Sequence, residues 1–397
     1  MFEKFINSST KVKGLLEVGE ISQKDFTKTL SFDFVANLPI IEVEIAQKKY
    51  RFLFDTAALS VVPSSLVDKL SLKVIQEIKI NDSQNNISSR FLYTLPALKV
   101  GDLEFCDFVV VAQDFSEQTP LSCLGFDGIF GYNFLHLLVT HLDYENQEII
   151  LSDTLPSTKG YTKMPLAFDG FSGAKFEINL PFRNVLFTLD TGKNDGFSLS
   201  KLDELNAFRE YNYEFKETSG LFMSSVGGEQ DMQQERAYLV KEFNITKSIE
   251  IQRYPISMSE TTQSLVGNEF MKNFDVILDF RKKQLYLRQL GDEPIRKSLS
   301  EGFGFFTHWS EEKKLYISAL TKGSPAFEKG LKIGERVLAI GDIDTYDLSK
   351  EEYCKLFLEL NSSKETYESQ RTLELTIKND ITIKRVLLKK QDNINAI

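Results

Sequence analysis

Apolar positions along this chain recur in short runs, many with a period near two. The stretches FDFVANLPIIEVEI (32–45), KYRFLF (49–54), FCDFVVVA (105–112) and EIILS (148–152) are rich in β-branched and aromatic residues and are bounded by turn formers. That is the pattern of half-buried and fully buried strands. Helical signals are few. A brief helix is expected behind each Ser-x-x-Asp, at Ser65 to Asp68 and at Ser200 to Asp203, and a longer one behind the Ser349 and Glu352 capping box. The chain therefore reads as mostly β.

The pattern also repeats. Sliding the chain by 135 residues lays FLFDTAALSVVPSSLVDKL (52–70) over FTLDTGKNDGFSLSKLDEL (187–205), matching Phe52 with Phe187 and Asp55-Thr56 with Asp190-Thr191. A second pair follows at an offset of 136, where IFGYNFLHLLVTHLDYENQEIIL (129–151) overlays LVGNEFMKNFDVILDFRKKQLYL (265–287). There Gly131 meets Gly267, Phe134 meets Phe270 and Asp143 meets Asp279. Two similar blocks in one order at nearly one offset indicate a duplicated β unit. The expected organisation is an N-terminal extension (1–30), two related units (31–155 and 156–290), a linker (291–299) in GDEPIRKSLS, and a third unit (300–391).

Composition narrows the function. With 397 residues, 42% of them hydrophobic, the chain is globular and long enough for several cores. A net charge of −10 and a pI near 5.1 argue against a nucleic-acid or anionic-membrane partner, which would need clustered Lys and Arg. No run approaches the ~20 apolar residues of a membrane span, and the N-terminus has no signal-peptide pattern. A cytoplasmic protein is expected from the sequence as written, or an exported or periplasmic one if the N-terminus is trimmed. Cys106, Cys123 and Cys354 lack metal-binding spacing and leave room for one bridge. His136, His141 and His308 suggest structural or surface roles, and DTGKNDG (190–196) misses the ligand and glycine positions of a calcium loop. Neither metal nor cofactor is called for.

Duplicated strands that each present one aspartate to a shared axis bring two carboxylates together. About 3 Å apart, both cannot ionise cheaply, so one keeps a proton and the other loses it. Such a pair takes a proton from a water while donating one to a peptide carbonyl oxygen, with no covalent intermediate.

The doubled apolar-apolar-Asp-Thr, each followed much later by apolar-apolar-Gly, resembles the signature of pepsin- and retropepsin-like aspartic proteases, as two tandem lobes in one chain. The resemblance implies catalytic Asp55 and Asp190, supported by the hydroxyls of Thr56 and Thr191, by Ala57 and Gly192 in the loops, and by Gly131 and Gly267 beneath them. It also implies substrate-covering hairpins around Asn81–Tyr93 and Ser219–Gln234. Two positions depart from it: Ala57 stands where the family has glycine, and Lys193 where a small residue is usual. The third unit resembles a PDZ domain. Phe303, Gly304 and Phe305 correspond to its peptide-binding loop, and GSPA (323–326) with GLKIGE (330–335) to its following turn. A peptide or protein C-terminus is the partner this implies. The expected function is an aspartic-type endopeptidase acting on polypeptide substrates. Ala57 motivates the alternative of a catalytically inactive peptide-binding scaffold.

Overall fold

The computed structural model describes residues 14–81, 87–115, 120–168, 173–200, 208, 210–221, 233–259, 263–299, 302–362, 371–379 and 382–390. The chain is mostly β. Its described strands form a nine-stranded sheet in the first half, a six-stranded sheet drawn from both halves, and a fourteen-stranded sheet running from the second half into the C-terminal segment.

The apolar runs become buried strands. In Lys48–Asp55 the side chains of Phe52 and Phe54 are fully buried and Leu53 nearly so, because both faces of the strand are covered. Each such burial contributes roughly 2–3 kcal/mol, which fixes the strand and hence the place where Asp55 leaves it. Gly128–Gly131 lies parallel to this strand, with Phe130 opposite Phe54 and Gly131 opposite Asp55, and antiparallel to Val61–Val62. The second half repeats the arrangement: Leu265–Val266 runs parallel to Asn184–Leu189 and antiparallel to Phe197–Ser200. One short helix follows each inner strand, Tyr132–Leu135 and Asn268–Met271. The matched phenylalanines Phe134 and Phe270 are both fully buried. Phe134 packs 4.8 Å from Phe130, and Phe270 packs 4.5 Å from Phe197.

The halves join in the six-stranded sheet, where Val139–Asp143 pairs antiparallel with Phe274–Asp279. His141 of the first strand pairs with Asp275 of the second, which also accepts a hydrogen bond from Tyr161 Oη at 2.5 Å and pairs with Arg288. Apolar side chains from both halves form one continuous core.

Three local expectations change. The helix Ser64–Lys69 begins behind Pro63 and has no side-chain cap, so Ser65 sits inside the first turn and cannot act as the cap. Its counterpart at Ser200 to Asp203 lies largely outside the described residues. The expected linker contributes a strand, Ile295–Arg296, which pairs with Ile251 and Gln252. The described part of the N-terminal extension is woven into the fold: Thr27–Ser31 forms an edge of the six-stranded sheet against Glu148–Ser152. The Ser349 signal holds, since Glu352 N donates to Ser349 Oγ at 3.2 Å and Ser349 N to Glu352 Oε2 at 2.9 Å, opening the helix Lys350–Ser362. Among the described residues no helix is long and apolar enough to cross a membrane.

Candidate active site

Each Asp-Thr sits where a buried strand ends and a loop begins, and the two loops meet. Thr56 and Thr191, both without solvent exposure, hold them together reciprocally. Thr56 Oγ1 donates to Leu189 O at 2.7 Å and accepts from Thr191 N at 3.1 Å. Thr191 Oγ1 donates to Phe54 O at 2.7 Å and accepts from Thr56 N at 3.0 Å. Each hydroxyl thus satisfies a donor and an acceptor of the opposite half in a place water cannot reach. An unsatisfied buried backbone group costs about 1–3 kcal/mol, so the four bonds fix the register between the loops.

This junction sets the aspartates side by side. A Cβ added at Gly192 would lie 2.2 Å from Asp55 Oδ2 and 3.1 Å from Asp190 Oδ1, so the glycine is the space the two carboxyls share. The loops supply unequal donors. Asp55 Oδ1 accepts from Ala57 N at 2.8 Å and Ala58 N at 2.9 Å, whereas Asp190 Oδ1 accepts from Gly192 N at 2.9 Å. Burial pushes the Asp55 carboxyl above its ordinary range, and the two N–H groups and a hydrogen bond with Asp190 offset part of that rise. The Asp190 carboxyl is pushed well above the carboxylate range, by burial first and then by the charge of Asp55, against the opposing pull of Lys193 and Gly192 N–H. Two carboxyls so placed titrate as one pair.

The glycines beneath the loops have a steric role. A Cβ on Gly131 would stand 2.4 Å from Ala58 O, and one on Gly267 would stand 2.5 Å from Lys193 O. In their place backbone bonds form: Tyr132 N donates to Ala58 O and Asn268 N to Lys193 O, each at 2.9 Å. Ala57, standing where the family has glycine, carries no cost in backbone conformation, because neither Ala57 nor Gly192 has a positive φ. Lys193 does not extend into solvent. Its side chain is only 10% exposed and pairs with Asp195.

Two asparagines escaped the repeat. Asn133 Oδ1 accepts from Ser60 N at 2.9 Å and Ser60 Oγ at 2.8 Å, anchoring the first loop, while Asn268 Nδ2 donates to Thr191 O at 2.7 Å in the second. They stand two residues after Gly131 and one after Gly267, so the alignment that matches the glycines does not match them. Glu235 was also missed. It lies in Gln233–Thr246, accepts from Ser257 Oγ at 3.0 Å, and burial with the charge of Asp195 raises its carboxyl to about 7 against the pull of Lys193.

Hairpins occupy both stretches expected to cover the site. Val74–Asn81 pairs with Ile87–Val100, and Phe215–Gly220 pairs with Gln233–Thr246. Their tips, 82–86 and 222–232, lie outside the described residues. Phe303, Gly304 and Phe305 are remote in sequence from the aspartates and belong to the C-terminal core. Gly304 has φ +78° and packs against Ser324, where a Cβ would stand 2.0 Å from the serine Cβ. Among the described residues no group of three or more His, Cys, Asp or Glu is arranged to hold a metal ion.

Residues 41–134 match a family model described as aspartyl protease. The match takes in Asp55, Thr56, Ala57 and Gly131 and stops short of Asp190 and Gly267, so it supports an aspartyl-protease-like domain in the first half. No curated protein matches the chain.

Proposed function

We propose that the chain is an aspartic-type endopeptidase built from two retropepsin-like lobes, with Asp55 and Asp190 as its catalytic pair. The observation that carries this reading is the reciprocal Thr56 and Thr191 network, which locks together two loops whose carboxyls flank one glycine. Asp55, with two N–H donors, is the ionised member and takes a proton from the attacking water. Asp190, with one donor and the greater upward shift, holds the proton and donates it to the scissile carbonyl oxygen. The diol collapses as Asp55 gives its proton to the amide nitrogen and Asp190 recovers one from a diol hydroxyl, so that the C–N bond breaks, the amine leaves and water supplies the only oxygen added. The strand pairs Val74–Asn81 with Ile87–Val100 and Phe215–Gly220 with Gln233–Thr246 would be the walls between which an extended polypeptide lies.

The inactive reading rests on Ala57, and the local geometry favours it less. Ala57 N still donates to Asp55, and the residue needs no glycine-specific φ.

The C-terminal unit supports a PDZ-like reading. Ser324 caps the Pro325–Glu328 helix, Ala326 N donates to Phe303 O at 3.0 Å, and Thr321 N donates to Gly304 O at 2.9 Å. The strand Phe305–Ser310 and the helix Lys350–Ser362 face each other through Trp309 stacked on Tyr353. A chain terminus captured at Phe303–Gly304–Phe305 would lie along that strand and that helix. The Cys123 to Cys354 bridge favours an oxidising compartment over the cytoplasm.

Mass spectrometry of a diverse peptide library incubated from pH 3 to pH 8 tests the activity. Cleavage blocked by a statine-type mimic of the diol is expected, and no cleavage at any pH, with gain of cleavage in Ala57→Gly, would favour the scaffold.

A second prediction concerns Lys193, whose charge holds Asp190 lower than its surroundings alone would. Activity needs Asp190 protonated, so it falls on the alkaline side as that proton leaves. Lys193→Met raises the Asp190 pKa further, and the alkaline limb of kcat/KM should move to higher pH, while Lys193→Arg leaves it in place. Glu235 titrates at about 7 in the same cluster, so the comparison is made in a Glu235→Gln background. An alkaline limb unmoved by Lys193→Met would remove Lys193 from the account.

A further inference from the structure

The two hairpins, Val74–Asn81 with Ile87–Val100 and Phe215–Gly220 with Gln233–Thr246, are held differently. Among the described residues Val74–Asn81 pairs only with its own hairpin partner, and Val74 and Ile75 are exposed. Phe215–Gly220 is paired on both edges. Lys314–Thr321, from the C-terminal unit, adds to its outer edge with Thr218 opposite Thr321, Ser219 opposite Leu320 and Gly220 opposite Ala319. Leu221 N donates to Ser318 O and Lys322 N to Glu217 O, each at 2.8 Å, and the hydroxyls of Thr218 and Thr321 meet at 2.9 Å. Gly220, at φ +126°, permits the approach, since a Cβ there would stand 2.2 Å from Ser318 O. The hairpin is thus continuous with the C-terminal unit, and its Glu235 reaches the charges of Lys193 and Asp195 in the Asp190 loop.

The same unit is bonded covalently to the other half. Cys123, in the turn Leu121–Leu124, is bridged to Cys354 of the helix Lys350–Ser362, with their Cα atoms 4.7 Å apart. Cys123 is buried as part of the C-terminal core that includes Phe303 and Trp309, while Phe357 of the helix packs back against the first-half core. Helix and strands form one body through Trp309 on Tyr353 and the pairing of Phe305–Ser310 with Lys314–Thr321. A closed circuit results: first half, disulfide, helix, two strands, second hairpin, second half.

We propose that the Cys123 to Cys354 bridge is a redox latch on the second hairpin. Oxidised, it fixes the C-terminal unit to the first half and so holds Phe215–Gly220 in position beside the aspartate loops. Reduced, the unit loses its covalent tie to the first half and moves with the hairpin. The reductant is a dithiol. Its thiolate attacks the sulfur of Cys354, the more accessible partner, displacing the Cys123 thiolate. Its second thiol then breaks the mixed disulfide, so two electrons and two protons pass to the protein and the reductant leaves as its own disulfide. Cys106 stays outside the exchange, its thiol pushed up by burial and by the charges of Glu104, Asp107 and Glu20.

Hydrogen exchange of the full chain, oxidised and after treatment with dithiothreitol, tests the latch without depending on peptidase activity. Reduction should speed exchange at least about tenfold in peptides covering Thr218–Leu221 and Glu235–Tyr238, and leave Ile40–Phe54 unchanged. Cys354→Ser should show the fast pattern without reductant, and Cys106→Ser should respond as the parent chain does. Reduction of the parent chain answers the question even if Cys354→Ser folds poorly. Exchange unchanged at the hairpin, or raised equally in every segment, would overturn the proposal. Either result leaves the catalytic reading untouched.

Discussion

Asp190→Asn should lower kcat/KM by roughly 10³-fold or more and at the same time make the protein more resistant to unfolding at neutral pH. Both effects come from one cause. The Asp190 carboxyl binds its proton much more tightly when folded than when unfolded, because burial and the neighbouring Asp55 disfavour its charge. Between the unfolded-state value of about 4 and its raised folded value, the folded chain therefore holds more protons. Stability from this group is greatest below about pH 4 and declines as pH rises. Asparagine cannot ionise, so the variant escapes that decline. Thermal unfolding from pH 3 to pH 8 should give a Tm advantage for Asp190→Asn that grows with pH and vanishes at the acid end. A catalytic loss without that pH-dependent gain would mean that Asp190 is not held protonated by burial.

Gly192→Ala should be nearly as damaging, for a steric reason. The added methyl would lie 2.2 Å from Asp55 Oδ2 and 2.6 Å from its Cγ, well inside contact distance. Either the Asp55 carboxyl turns off the N–H groups of Ala57 and Ala58, or the loops separate and strain the Thr56 and Thr191 bonds. Misplacing reacting groups by about 1 Å costs on the order of 10² in rate, and Tm should fall as well. Ala57→Gly is the control. Ala57 has a negative φ and keeps its N–H bond, so its glycine variant should change kcat/KM less than about tenfold. Nearly full activity in Gly192→Ala would contradict the shared-space geometry.

What the sequence revealed and what it hid divide along physical lines. Phe52 to Thr56 and Phe187 to Thr191 were legible because a buried strand that must release a carboxylate has few solutions, and the chain uses one twice. Gly131 and Gly267 were legible for a similar reason, since only glycine fits against the loop carbonyls. The capping box at Ser349 is local, and so it survived folding. Ser65 misled because Pro63 starts the helix two residues earlier. Asn133 and Asn268 each hold one of the two loops, by different bonds and from positions displaced by one residue, which a fixed-offset comparison cannot align. The least legible features join distant segments. Cys123 and Cys354 are separated by 231 residues. The pairing of Phe215–Gly220 with Lys314–Thr321 uses backbone groups that carry almost no side-chain signal. Composition marks the C-terminal segment as a unit hung on a linker, yet strand addition and the bridge tie it to both halves.

The central claim is that two carboxyls from two halves act as one acid-base pair. Its most direct test is kcat/KM for Asp55→Asn, Asp190→Asn and the double variant on the best substrate found in a peptide library. Groups that work as a unit lose their function together. The account predicts that each single variant loses roughly 10³-fold or more and that the double variant loses no more than the worse single. Losses that multiply in the double variant, or full activity in either single variant, would contradict it.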